Sequence, residues 1–201
     1  MTIFLPASPA LVTSTFGLET NTQSFTSPLT NTVQRVVLQG ARWTFSGRLP
    51  AMNRAQAAAW QAFFLQLEGM ANTFYGFDPD ARTPRGVATG TPLVKGGSQT
   101  GSSLNIDGCT ANVTGWLKAG DYFAVNGELK MITADCNTNG SGETTLSFKP
   151  ALRSSPADNA PLTVTNATCL MILKDDGQAM WECDANGIYQ PKAFSAIEVF
   201  S

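Results

Sequence analysis

Over residues 41–48 the chain alternates without a break. Ala41, Trp43, Phe45 and Gly47 fall on one side, and Arg42, Thr44, Ser46 and Arg48 on the other. A period of two residues is that of a β-strand with one face in a core and the other in solvent or at an interface. The Val-rich segment 32–38 precedes it, and Gln39-Gly40 reads as a turn between them. The two segments are expected to form a β-hairpin.

One helix is predicted, over 54–68. Pro50 excludes a much earlier start, Asn53 suits the N-cap, and Gln56 three residues on completes a capping box. Ala55, Ala57, Ala58 and Ala59 favour helix. Trp60, Phe63, Phe64 and Leu67 recur at i, i+3, i+4 and i+7 and so share a face, and Gly69 supplies the stop. This aromatic face is expected to pack on the sheet that carries Trp43 and Phe45. Trp43, Phe45, Trp60, Phe63, Phe64 and Leu67 are thus the core candidates.

Beyond the helix, an aromatic strand at 74–77 runs into Asp78-Pro79-Asp80. The Gly/Pro/Thr/Ser-rich stretch 81–101 reads as a linker, with a boundary near Gly90. From 91 to 166 short strands and tight turns dominate. Asp107-Gly108 follows a strand at 104–106. Asn126-Gly127 joins 122–125 to 128–132, with Tyr122 opposite Met131 and Ala124 opposite Leu129 to give an apolar face. A strand at 144–149 is expected to stop at Pro150. Strands at 168–173, 178–182 and 193–200 then form a meander, the last completing the N-terminal sheet. The expected fold is mainly β with one prominent helix: a discontinuous β-sandwich-like domain, 1–90 plus 167–201, with a small all-β barrel or sandwich, 91–166, inserted.

Composition narrows the function. The chain contains no His, which removes Ser-His-Asp triads, Cys-His dyads and His-ligated metals. Only 14% of residues are charged, against about 25% in typical soluble domains. A surface so poor in charge loses little hydration when other subunits cover it. The net charge of −2 and the scattered Arg82, Arg85 and Lys95 do not make a phosphate-binding face. The first six residues lack the charged start of a signal peptide, and Pro6 and Pro9 interrupt the apolar run. A cytosolic product without a membrane anchor is expected.

The motifs with chemical potential are weak. Asp135, Asn137, Asn139 and Gly140 match the opening of a calcium loop, but the twelfth position is Leu146 where a carboxylate is needed. No metal site is expected. The pairs Asp78/Asp80 and Asp175/Asp176 sit in turns, too close in sequence to straddle a glycosidic bond. Distant partners such as Glu128 or Glu182 stay open. Gly96, Gly97 and Gly101 have no following helix to cradle phosphate. Tyr75, Trp116 and Tyr189 can stack on sugars if exposed. Cys109, Cys136, Cys169 and Cys183 form no C-x-x-C pair and read as reduced, buried thiols. No catalytic residue and no cofactor are assigned.

The order of elements resembles the distal tail and minor tail proteins of long-tailed bacteriophages. A β-hairpin ending in 43–47 precedes a Trp/Phe-bearing helix over 54–69, then the aromatic exit strand Phe74-Tyr75-Gly76-Phe77. The stretches 115–123 and 146–153 resemble phrasing in phage tail proteins. The resemblance implies a β-sandwich structural protein of the virion tail tip, assembled in the host cytoplasm as a homo-oligomeric ring, often a hexamer. Such a ring joins the tail tube to the hub and receptor-binding parts, near the tape measure protein, and DNA passes through it without sequence-specific binding. It implies no catalytic residues. On this reading the polar side of 41–47 can face the lumen. The competing expectations are a carbohydrate-binding module centred on 91–166 and a glycoside-active enzyme.

Overall fold

The computed structural model describes residues 3–200. It is mainly β, with two antiparallel five-stranded sheets and a single α-helix. The chain divides into two compact units, Met1–Phe74 with Met171–Ser201, and Tyr75–Leu170.

The first unit opens with a long hairpin, β1 (Thr13–Thr26) and β2 (Val33–Arg48). They pair from Thr13↔Arg48 to Thr26↔Val33, with a bulge between Glu19 and Asn21. The hairpin expected within 32–47 is therefore a single strand. Its partner is β1, whose Thr, Ser and Asn content hid it, and the turn lies at 27–32. Gly40, at φ 111, takes up the bulge rather than a turn. Helix α1 (Arg54–Leu67) follows, with both hydrogen bonds of the capping box formed between Asn53 and Gln56. Glu68 caps its C-terminus in the left-handed conformation.

Strand β3 (Phe74–Gly76) leads into the second unit and β9 (Cys169–Leu173) returns from it. β10 (Ala193–Glu198) completes the sheet, in the order β1-β2-β10-β9-β3. As expected from the sequence, the C-terminal strand joins the N-terminal sheet, pairing with β2 from Ala193↔Arg48 to Ile197↔Thr44. The meander is corrected. Residues 178–182 form no strand, because a 3-10 helix at Asp176–Ala179 turns the chain there. The core candidates Trp43, Phe45, Trp60, Phe63, Phe64 and Leu67 all lie buried. Phe194 of β10 stands between them, with ring centroids 5.5 Å from Phe45, 5.6 Å from Trp60 and 5.3 Å from Phe64.

The second unit contains β4 (Gly90–Val94), β5 (Gly101–Cys109), β6 (Tyr122–Val125), β7 (Glu128–Ile132) and β8 (Thr144–Leu152), ordered β4-β5-β8-β7-β6. Residues 159–163 close the sheet. The N–H of Asn159 and of Leu162 reach the Val94 and Pro92 carbonyls on β4, while Thr163 and Ala124 of β6 exchange two hydrogen bonds of 2.8 and 2.9 Å. The closed sheet leaves no bare edge along β6 or β4 at these points. The Asn126-Gly127 hairpin forms in the expected register, Tyr122↔Met131 and Ala124↔Leu129. Its face assignment is corrected: Phe123, Val125 and Ile132 enter the barrel core.

Three further expectations change. Gly108 does not end β5; at φ 70 it lies inside the strand, at the register shift between the pairs Gly90↔Cys109 and Leu93↔Asp107. β8 runs through Pro150, which falls where the register against β5 shifts between Gly101 and Ser103, so no ladder bond to β5 is lost there. The second unit begins at Tyr75 rather than near Gly90, because the Gly/Pro-rich stretch 81–90 is fastened to it. Asp121, 3% exposed, accepts from the N–H groups of Arg85 (2.8 Å), Gly86 (3.0 Å) and Lys118 (2.8 Å). Val87 and Ala88 add backbone bonds to Gly115 and Trp116.

Candidate functional site

The side chains with chemical potential in the second unit are mostly occupied in holding loops. Of the calcium-like loop, the Asp135 carboxylate accepts from Ala119 N–H (2.8 Å) and Asn137 Oδ1 from Gly115 N–H (2.7 Å). Asn139 Oδ1 accepts from the N–H groups of Ser141 and Glu143, both at 2.9 Å. Asp135 and Asn137 thus hold the neighbouring 115–119 segment and Asn139 caps its own loop, so these oxygens are taken up by backbone N–H groups. Asp78 accepts from Asp80 N–H (3.1 Å) and from the Tyr122 hydroxyl (3.2 Å). Burial, then the Asp78 charge, raises the Tyr122 phenol above its ordinary range. Asp175 accepts from Gln178 Nε2 and Asp176 from Met70 N–H, so this pair is likewise spent on turns of the first unit.

Among the described residues the most deeply buried charged side chain is Lys130, which is 0% exposed. Its ammonium lies 2.6 Å from Glu128 Oε2 and donates to the Ala151 carbonyl at 2.8 Å. Glu128 also accepts from Arg153 N–H (3.0 Å) and from Ser154 N–H (3.1 Å) and hydroxyl (3.2 Å). Burial alone would push the Glu128 carboxyl up. Lys130 and the two N–H donors outweigh it, and the group titrates below its ordinary value. Neither hydropathy nor spacing marked this pair, beyond Glu128 as one of many carboxylates.

The sugar-stacking candidates separate. Trp116 is fully buried, its indole N–H donating to the Thr89 carbonyl at 2.8 Å, so it offers no platform. Tyr75 and Tyr189 are half-buried. A shallow polar cleft of about 280 Å³ lies on the barrel instead, lined by Lys95, Asn105, Asn139, Glu143, Thr144 and Thr145. Lys95 and Glu143 pair across it at 2.5 Å. Cys109, Cys136 and Cys169 are buried and Cys183 is exposed, all four as free thiols, so the expectation of a buried thiol fails only at Cys183. Burial pushes the Cys109 thiol up to about 12, which suits packing rather than nucleophilic chemistry.

The other conspicuous surface belongs to the first unit. Beyond the bulge, every residue of β1 from Asn21 and of β2 up to Gly40 is exposed. Phe25, Leu29, Val33, Val36 and Val37 stand among them at 64, 93, 54, 57 and 79% exposure. Nearer the core, the outward side of the same hairpin is polar, presenting Thr13, Thr15, Glu19, Arg42, Ser46 and Arg48. Isolated exposed apolar residues are ordinary; here several stand together on one two-stranded ribbon. No helix among the described residues is long and apolar enough to cross a membrane. No protein-family model matches the chain, and no curated protein matches it.

Proposed function

We propose that this chain is a structural component of a bacteriophage tail tip, working by self-association into a ring that connects the tail tube to the hub and receptor-binding parts. The single observation that carries the self-association is the exposed β1–β2 arm, with Phe25, Val36 and Val37 in water. The tail assignment itself rests on the order of hairpin, aromatic helix and aromatic exit strand, which resembles distal and minor tail proteins. The polar outward side of the hairpin root, including Arg42 and Arg48, suits a lumen through which DNA slides without being read. Labelling virions with antibody to the purified protein, followed by electron microscopy, tests the reading. Decoration at the tail tip is expected; virions that lack the protein, or carry it elsewhere, would reject it.

The polar cleft favours a second reading, in which the barrel recognises surface saccharide. Its Asn, Thr, Glu and Lys side chains offer both donors and acceptors to hydroxyl groups. A glycan array probed with the full chain distinguishes the two readings, and no bound glycan counts against this one.

A further inference from the structure

The outer hairpin carries two open strand edges over the same six residue pairs. Among the described residues β1 has β2 as its one strand neighbour, and β10 covers β2 only along Thr44–Arg48. From Asn21↔Leu38 to Thr26↔Val33, both outer edges therefore present backbone N–H and C=O groups with no strand beside them. Exposed edges are normally guarded by Lys, Pro, inward charge or brevity. The two strand segments hold one charge, Arg35, and no Pro; Pro28 lies in the turn, and the bulge lies at the root. A two-stranded ribbon without a core is marginal in water. This arm is built to be paired.

We infer that the arm pairs edge to edge with the arm of a second copy of this chain, the β1 edge of one against the β2 edge of the next. This rests on the ring reading above and names its contact. Rotation about a common axis sets β1 of one copy antiparallel to β2 of its neighbour, and the step repeats until the ring closes. A single unlike partner uses one edge; a repeating self-contact needs both, over the same residues. The register also keeps like faces together. Phe25, Val36 and Leu38 share one face of the ribbon, and Thr22, Thr26, Val33 and Val37 share the other with Arg35. Successive arms thus bring Phe25, Val36 and Leu38 onto one shared face, among Asn21, Gln23 and Gln34.

Magnitudes shape the assembly. Six residues make an edge about 20 Å long and about 10 Å thick, burying roughly 200 Å² per partner. A stable pairwise complex buries about 800 Å² per partner. One arm contact alone is weak, and closure, which gives each copy two, makes assembly cooperative. Arg35 groups of successive arms stand two strands apart, roughly 9.5 Å. That is about one Debye length at 0.1 M salt, so added salt favours assembly.

The test compares the full chain with Ser24→Pro and Val37→Pro, whose N–H groups point away from the partner strand, and with Val36→Lys, by light scattering and amide hydrogen exchange. The native chain should assemble over a narrow concentration range, with amides 21–38 protected in the assembled fraction and exchanging freely in dilute monomer. Each variant should shift assembly at least tenfold in concentration without lowering the melting temperature of the cores. Assembly unchanged in all three variants overturns the arm pairing and leaves the ring reading standing. A native chain that stays monomeric at millimolar concentration also overturns arm self-pairing, while the tail-tip reading is then judged by the virion labelling alone.

Discussion

The carboxylate of Glu198 accepts a hydrogen bond from the backbone N–H of Trp43 at 3.0 Å, at the position where β10 stops covering β2. Glu198 is 1% exposed. Its side chain continues the ladder by one bond after the last strand pair, Ile197↔Thr44, and beyond it the arm begins. Glu198→Ala leaves a buried N–H without this acceptor and is expected to cost about 1–3 kcal/mol in denaturant unfolding. Glu198→Gln keeps an acceptor and should cost less. Equal losses in the two variants would show that the charge, not the acceptor, matters.

The Glu128–Lys130 pair makes the second unit acid-sensitive. Because the folded carboxyl titrates below its ordinary value of 4.5, its contribution is whole above that pH and is lost as pH falls through the lower, folded value. Lys130→Met alone strands a buried carboxylate and is expected to cost about 3–5 kcal/mol. Adding Glu128→Leu should recover part of this, but not all, since Arg153 and Ser154 N–H lose their acceptor. Urea titrations of both variants at pH 7 and near pH 4 check the ordering. The single variant should also lose most of the acid sensitivity.

Phe64 is 0% exposed and meets the rings of Trp60, Phe63, Trp181 and Phe194 at 5.3 to 6.2 Å. Phe64→Ala should cost about 3–5 kcal/mol, the range for an aromatic removed from a packed core. Leu65, one residue on, is 71% exposed, and Leu65→Ala should change stability by less than about 0.5 kcal/mol. Thermal melts of the two variants separate these outcomes.

Thiol accessibility follows burial. Cys183 is exposed while Cys109, Cys136 and Cys169 are buried, the first two with thiols that burial pushes up. Iodoacetamide at pH 8 should modify Cys183 alone in the native protein and all four residues in guanidinium. Rapid native labelling of Cys109 would contradict the packing.

What the residues disclosed in advance follows the strength of local signals. The capping pair Asn53/Gln56 and the spacing of Trp60, Phe63, Phe64 and Leu67 place the helix almost to the residue, because caps and periodicity are encoded within a few positions. Asn126-Gly127 fixes a register in the same way. β1 was illegible because Asn21, Thr22, Gln23 and Ser24 bury nothing within one copy, so no alternation records which face is inward. The Glu128–Lys130 pair escaped for the opposite reason. Charged residues in a strand read as a solvated face unless the residues that satisfy them, here Ala151, Arg153 and Ser154, are known to fold over them. The stretch 81–90 has the composition of a linker, and the groups that tie it down, Asp121, Gly115 and Trp116, lie far along the chain.

The central claim is that the bare, weakly charged β1–β2 arm exists to be covered by further copies of the chain. Sedimentation velocity of the 201-residue chain from micromolar to millimolar concentration tests it most directly. The account predicts a cooperative conversion from monomer to one discrete larger species, favoured by salt. A single monomeric boundary throughout, unaltered by salt, would contradict it.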